Sequence, residues 1–198
     1  MKKYIAEFIG TAVLSLAVVG SITNGAGFVT VLTVGITLGL LVATIGFISG
    51  AHVNPAVTLG LLSIKKIEWK EALTYIVAQF AGAALALILV RLHDTPMPTI
   101  DAAFSWVSIV AEAIGALVFT FGIASIVLAS DSAKAESKAP FVIGGSLTLG
   151  ATIAVALGSN AILNPAVAFG IGSLGLAYII GPIVGAVAGM WLFKALRA

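Results

Sequence analysis

Three kinds of residue in this sequence stand where chemistry could follow from them. Glu7 and Glu112 lie inside apolar runs, His52 and His93 are the only histidines, and Asn54 and Asn164 each open an Asn-Pro-Ala-Val quartet. Carboxylates at membrane depth can relay protons, and a histidine there can act as a pH gate. Carboxamides can only donate and accept hydrogen bonds. Cysteine is absent, which excludes disulfides and thiolate metal sites. No nucleophile, metal-ligand cluster or acid–base pair accompanies the asparagines, so the pattern favours hydrogen bonding over covalent turnover and implies no cofactor. The two copies, HVNPAVTLG at 52–60 and LNPAVAFG at 163–170, carry their asparagines at 54 and 164, an offset of 110. A single Asn-Pro is an ordinary turn signal. Its recurrence turns attention to the elements around each copy.

Of 198 residues, 60% are hydrophobic and 9% charged, and mean hydropathy is +1.17. Soluble domains carry roughly 25% charged residues, so this chain lacks the means to cover a water-facing surface. Six apolar stretches, at about 4–22, 28–49, 71–90, 104–129, 140–158 and 174–194, meet the ~20 residues a membrane span needs. Met1-Lys2-Lys3 before the first has the look of a signal peptide. Glu7 interrupts the apolar region and no small-residue cleavage site follows, so the segment is read as a span. Two shorter pieces, 54–64 and 164–173, begin with the Asn-Pro pairs and have half a span's length.

Basic residues decide how the short pieces run, because Lys and Arg collect on cytoplasmic flanks. If both pieces enter and leave on one side, Lys2, Lys3, Lys65, Lys66, Lys70, Lys134, Lys138, Lys194 and Arg197 share the side of the N-terminus, and only Arg91 lies opposite. If both cross, the split is five against five. The biased arrangement is the expected one. It gives an all-α membrane protein of six transmembrane helices and two re-entrant half-helices, with both termini cytoplasmic. The same residues account for a pI near 9.0 and a net charge of +2, so no nucleic-acid partner is implied.

The chain also repeats itself. AEFIGT at 6 matches AEAIGA at 111, HVNPAV at 52 matches ILNPAV at 162, and YIVAQFAGA at 75 matches YIIGPIVGA at 178. Each half, about 1–95 and 101–198 of one channel-like domain, holds three spans. That odd number inverts the second half relative to the first. Inverted repeats place a site near the midplane, often on discontinuous helices. Asn is a good N-cap, and Pro at the first helical position sacrifices no needed N–H. Two such caps meeting head-on would leave two amide donors on a path. The irregular stretches before them, 50–53 and 159–163, would supply carbonyl acceptors, and such backbone is tolerated at depth only where it is buried or lines a cavity. Each half-helix start also carries ~+0.5 of a charge. Two together oppose cations and protons and spare neutral molecules.

These residues resemble the aquaporin, or major intrinsic protein, family along essentially the whole chain. SGAHVNPAVTLG at 49–60, the second Asn-Pro-Ala, the AEFIG and AEAIG openings and YIIGPIVGA carry the likeness. The resemblance implies a right-handed bundle with its own pore, usually assembled as a homotetramer in the cell membrane, passing water and small neutral solutes. Asn54, Pro55, Ala56, Asn164, Pro165 and Ala166 take the pore-motif roles, Glu7 and Glu112 match the glutamates that brace the re-entrant loops, and His52 matches a pore-side histidine on the cytoplasmic approach. The family usually has Arg directly after the second motif. Here Val167 stands there, and the other selectivity-filter positions resemble Val34, Thr152 and Ala161. Such a filter, without aromatic ring or guanidinium, would be wider and less polar than a strict water channel's. Ala168 replaces an Asp common in glycerol facilitators, and Tyr178-Ile179 lacks a Trp common in water channels.

Other readings stay open at this point. Glu7 and Glu112 could relay protons instead of bracing loops, and His52 could gate instead of lining. His93, beside Asp94, reads as solvated, and DSAKAESK at 131–138 as a cytoplasmic loop, with Ser132 and Ser137 as conceivable modification sites. Gly181/Gly185/Gly189, Gly35/Gly39 and Gly46/Gly50 have the small-xxx-small spacing of close helix packing. The expected function is passive conduction of water and glycerol-like solutes. The alternatives are a secondary transporter with a midplane site, a wide pore that leaks ions, and an adhesive assembly with a closed pore.

Overall fold

The computed structural model describes residues 1–23, 27–94, 100 and 104–197, and every element among them is helical. In chain order they are α1 (Lys2–Thr23), α2 (Phe28–Ser49), α3 (Pro55–Ser63), α4 (Trp69–Leu92), α5 (Trp106–Val127), α6 (Ser132–Ala156), α7 (Pro165–Gly170) and α8 (Leu176–Arg197). Among the described residues six helices are long and apolar enough to span a bilayer; α3 and α7 are not. Pro96 and Pro98 lie outside the described residues.

The inverted repeat is visible in the packing. α1 packs on α2 and α4 as α5 packs on α6 and α8, and each short helix also packs against the last long helix of the other half, α3 on α8 and α7 on α4. Glycines set these crossings. A Cβ on Gly82 would lie 2.1 Å from the Phe8 carbonyl oxygen, and one on its repeat mate Gly185 would lie 2.0 Å from that of Ala113. Gly181 and Gly189 approach the α5 backbone in the same way, and Gly35 and Gly144 face each other across α2 and α6. Lipid offers no hydrophobic drive for helix association, so such backbone contact is a main source of cohesion. Gly46 and Gly50 differ from the sequence expectation. Gly46 meets only Val42 of its own helix, and Gly50 is the C-cap of α2 with φ 86°.

The outer surface is apolar along the middle of the long helices, with Phe47 and Phe141 more than four-fifths exposed. Trp69, Trp106 and Trp191 stand near helix ends, and Lys70 and Lys194 lie over the rings of Trp69 and Trp191, as at a membrane–water boundary. α6 corrects the reading of 131–138 as loop. The Asp131 carboxylate accepts from the Lys134 N–H at 3.0 Å and caps a helix that starts eight residues before the apolar run. Ala, Glu and Lys are good helix formers, so the charged turns continue the span beyond its apolar part.

Candidate functional site

The site begins with two capped half-helices. Asn54 and Asn164 have extended backbone, and each side-chain oxygen accepts from its own helix: Asn54 Oδ1 from the Ala56 N–H (2.8 Å), Asn164 Oδ1 from those of Ala166 (3.0 Å) and Val167 (3.3 Å). That orients each Nδ2 toward the other half. Asn54 Nδ2 donates to the Leu163 carbonyl and Asn164 Nδ2 to the Val53 carbonyl, both at 2.9 Å. The pairs cross-link the repeats at the point where α3 and α7 meet. A carboxamide nitrogen has two hydrogens, so one on each Asn remains for the cavity that both residues line.

The segments before the caps are held from behind. Glu7 is fully buried. Its Oε1 accepts from Ser49 Oγ (2.7 Å) and the His52 N–H (2.9 Å), and its Oε2 from the Val53 N–H (2.7 Å) and Gln79 Nε2 (2.8 Å). Glu112, equally buried, accepts from Ser159 Oγ, the Ile162 N–H (3.0 Å) and the Leu163 N–H (2.7 Å). The Ala51 and Ala161 N–H groups turn to Ser49 Oγ and Ser159 Oγ, at 3.1 and 3.2 Å. In a planar trans peptide the carbonyl points opposite the next N–H. With 51–53 and 161–163 donating to the glutamates and to the serines bonded to them, the carbonyls of 50–52 and 160–162 face the other way, to the cavity side. Positive φ at Ala51, Val53, Ala161 and Leu163, repeated between the halves, sustains this geometry.

One cavity joins these groups. Its volume is about 60 Å³, room for a few waters. Val34, Ala161, Val167, His52 and both asparagines line it, along with Asn160 and aliphatic side chains of α1, α2 and α6. Thr152 does not join the other expected filter residues. It faces the outward groove between α2 and α6 and donates to the Thr148 carbonyl (2.8 Å), while Ala151 lines the cavity in its place. Counting back from Asn164 lands one residue late, and one helical residue is a rotation of about 100°.

His52 lies on the same cavity, with Nδ1 3.2 Å from Thr58 Oγ1. The Thr58 hydroxyl gives its proton to the Asn54 carbonyl (3.0 Å) and accepts from Gln79 Nε2 (3.0 Å). It can only accept from His52, so the imidazole carries its proton on Nδ1 and keeps an Nε2 lone pair free of that contact. Tyr75 donates to the Ser49 carbonyl (2.8 Å) and packs edge-on against the His52 ring. His93 caps α4 at an exposed end, 3.0 Å from the Leu89 carbonyl. No cluster of three metal-ligating side chains occurs among the described residues. Sequence reasoning passed over Asn160 as a side chain: its Nδ2 donates to Tyr178 OH at 2.8 Å, a partner eighteen positions away that no local pattern signals.

Six spans around two half-helices that abut end to end define a multi-pass membrane channel of the aquaporin fold. An aquaglyceroporin structure from Plasmodium falciparum superposes with a TM-score of 0.70 at 23% identity, covering 99% of this chain and 94% of that one. The sequence pattern of the family described as Major intrinsic protein matches residues 1–193, and the chain belongs to that family. Its relatives include Aquaporin NIP1-1 of Oryza sativa subsp. japonica, 34% identical over 215 residues, which span all of this chain and 75% of the rice protein. "Probable aquaporin AqpM" of Archaeoglobus fulgidus is 35% identical over 243 residues, covering 98% of this chain and 96% of that protein. The protein is thus an aquaporin/aquaglyceroporin-like channel and not an enzyme.

Proposed function

We propose that this channel conducts water and small uncharged solutes of the glycerol type passively and excludes ions and protons. The observation that carries the reading is the end-to-end meeting of α3 and α7, with one amide hydrogen on each of Asn54 and Asn164 left for a cavity whose other polar groups, the loop carbonyls, His52, Asn160 and Thr30, include no carboxylate. Neutral molecules exchange hydration for this ladder at little cost. A cation meets two positive helix ends and no carboxylate, since both buried glutamates face the loops from behind. A coupled transporter would need a carboxylate free to bind its ion, and Glu7 and Glu112 each hold three or more donors. Val167 favours one second reading, a measurable ion leak, because the outer ring has no fixed cation.

We place the protein in the cell membrane with both termini cytoplasmic, on the charge asymmetry. Residues 1–198 act as one channel domain, and protomers assemble as a homotetramer, as the family resemblance implies. Stopped-flow light scattering of proteoliposomes under osmotic and solute gradients tests the function. Permeability above that of empty vesicles is expected for water and glycerol, and none for either defeats the proposal. Bilayer recording under the same preparation separates the ion-leak reading.

A further inference from the structure

We propose that Asn160 forms a hydrogen-bond-accepting subsite at the outer side of the pathway, selecting neutral solutes that donate hydrogen bonds, such as polyols and urea-like amides. The inference rests on the channel reading and adds the residue that sets its solute range.

Most side chains around this part of the cavity are aliphatic, Val31, Val34, Ala151, Val167 and Leu147, and offer a passing molecule no hydrogen bond. The polar exceptions are the Thr30 hydroxyl and Asn160. Asn160 is exposed and lines the cavity, yet it is not loose, because Nδ2 donates to the hydroxyl of Tyr178, a side chain buried in α8. One amide hydrogen is committed to that anchor, which leaves Oδ1, an acceptor, and the second hydrogen to the pathway. The peptide carbonyls of Asn160, Ala161 and Ile162 face the same side, because the N–H groups that follow them donate to Ser159 and Glu112. Oδ1 and three carbonyls accept on this stretch of wall, against two donors among the described residues, the second Asn160 amide hydrogen and the Thr30 hydroxyl. A solute bearing hydroxyl or N–H groups can use every acceptor; one that only accepts leaves them unmatched.

Tyr178 is the positioning residue. Without its hydroxyl the Asn160 carboxamide can rotate and present either end, so Tyr178→Phe should blur the preference without removing the acceptor.

The test measures water, glycerol, urea and dimethyl sulfoxide permeation in proteoliposomes of the full chain, with Asn160→Leu, Asn160→Ala and Tyr178→Phe beside wild type. Dimethyl sulfoxide is close to glycerol in size but donates nothing. Wild type should pass glycerol in clear preference to it. Both Asn160 variants should lower the glycerol-to-water and urea-to-water ratios by about threefold to tenfold, the worth of one hydrogen bond. Leu conserves bulk and Ala widens the path, so a shared fall separates lost chemistry from changed size. Tyr178→Phe should give a smaller fall. Unchanged ratios in both Asn160 variants, in a protein that still conducts water, overturn the subsite and leave the channel reading standing. A wild-type protein that conducts nothing overturns both.

Discussion

Glu112 separates a bracing role from a proton-relay role by experiment. Its Oε1 takes Ser159 Oγ and the Ile162 N–H, and its Oε2 takes the Leu163 N–H. In Glu112→Gln the carboxamide oxygen can keep the first pair, and its NH2 then opposes the Leu163 N–H. One buried donor is orphaned, which costs about 1–3 kcal/mol. Weaker bonds to a neutral oxygen are partly offset by the easier burial of an uncharged group. In Glu112→Leu both backbone N–H groups are orphaned, while the Ser159 hydroxyl can rotate, so the cost is about 2–6 kcal/mol. Against a typical stability of about 5–15 kcal/mol, Leu threatens the fold and Gln does not.

Thermal unfolding in detergent, followed by intrinsic fluorescence, reads the difference. At this chain length each kcal/mol moves Tm by about 2–4 °C. Glu112→Gln should fall by about 2–12 °C and still conduct water, and Glu112→Leu should fall about twice as far or fail to fold. A relay predicts the opposite for Gln, near-native stability with transport lost. Either that result, or a Leu variant as stable as wild type, refutes the bracing argument.

Val167→Arg should place a long cationic side chain in the ring shared by Val34 and Ala161, and cut glycerol permeation more than water permeation in stopped-flow assays; unchanged selectivity would mean the constriction lies elsewhere. Gly185→Ala sets a Cβ 2.0 Å from the Ala113 carbonyl oxygen and should destabilise by at least the ~1–3 kcal/mol usual for overpacking, whereas Gly145→Ala, with nothing within 4 Å, should lose no stability in the same melting assay. Asp131→Ala removes the α6 cap and should cost about 0.5–2 kcal/mol with water and solute permeability unchanged, since the cap lies outside the cavity.

What could be read from sequence depended on the range of the signal. The half-helices were legible because length, Asn-Pro caps and the basic-residue tally are local or additive properties. The start of α6 was not, because apolarity marks where a helix meets lipid and says nothing of turns continuing into water; Asp131 held the better clue as a cap. Thr152 lies off the cavity because the irregular 157–163 loop separates it from Asn164, and one residue of slack there swings a side chain from cavity to outward groove. Asn160 was legible only as part of an irregular segment, since its orientation depends on Tyr178 in another helix.

The two loops share a backbone trace but not its chemistry, and one dihedral explains part of the difference. Asn160 is the repeat mate of Gly50, as Ala161 is of Ala51. Gly50 sits at φ 86°, and a Cβ there would meet the His52 ring at 3.2 Å. A side chain at 50 would be strained and crowded by the imidazole that lines the inner half. Asn160 lies outside the left-handed region, and Ile162 replaces the histidine, so position 160 can carry a side chain where position 50 cannot. The inner half holds its polar side chains in the linked set of His52, Thr58 and Gln79, whose repeat mates are Ile162, Ala168 and Pro182. With that set missing from the second half, the selectivity proposed there would rest on the carbonyl ladder and on Asn160. An Asn introduced at Gly50 would therefore not create a second such subsite; it should instead disturb the inner loop that Glu7 holds, lowering Tm without raising the urea-to-water ratio.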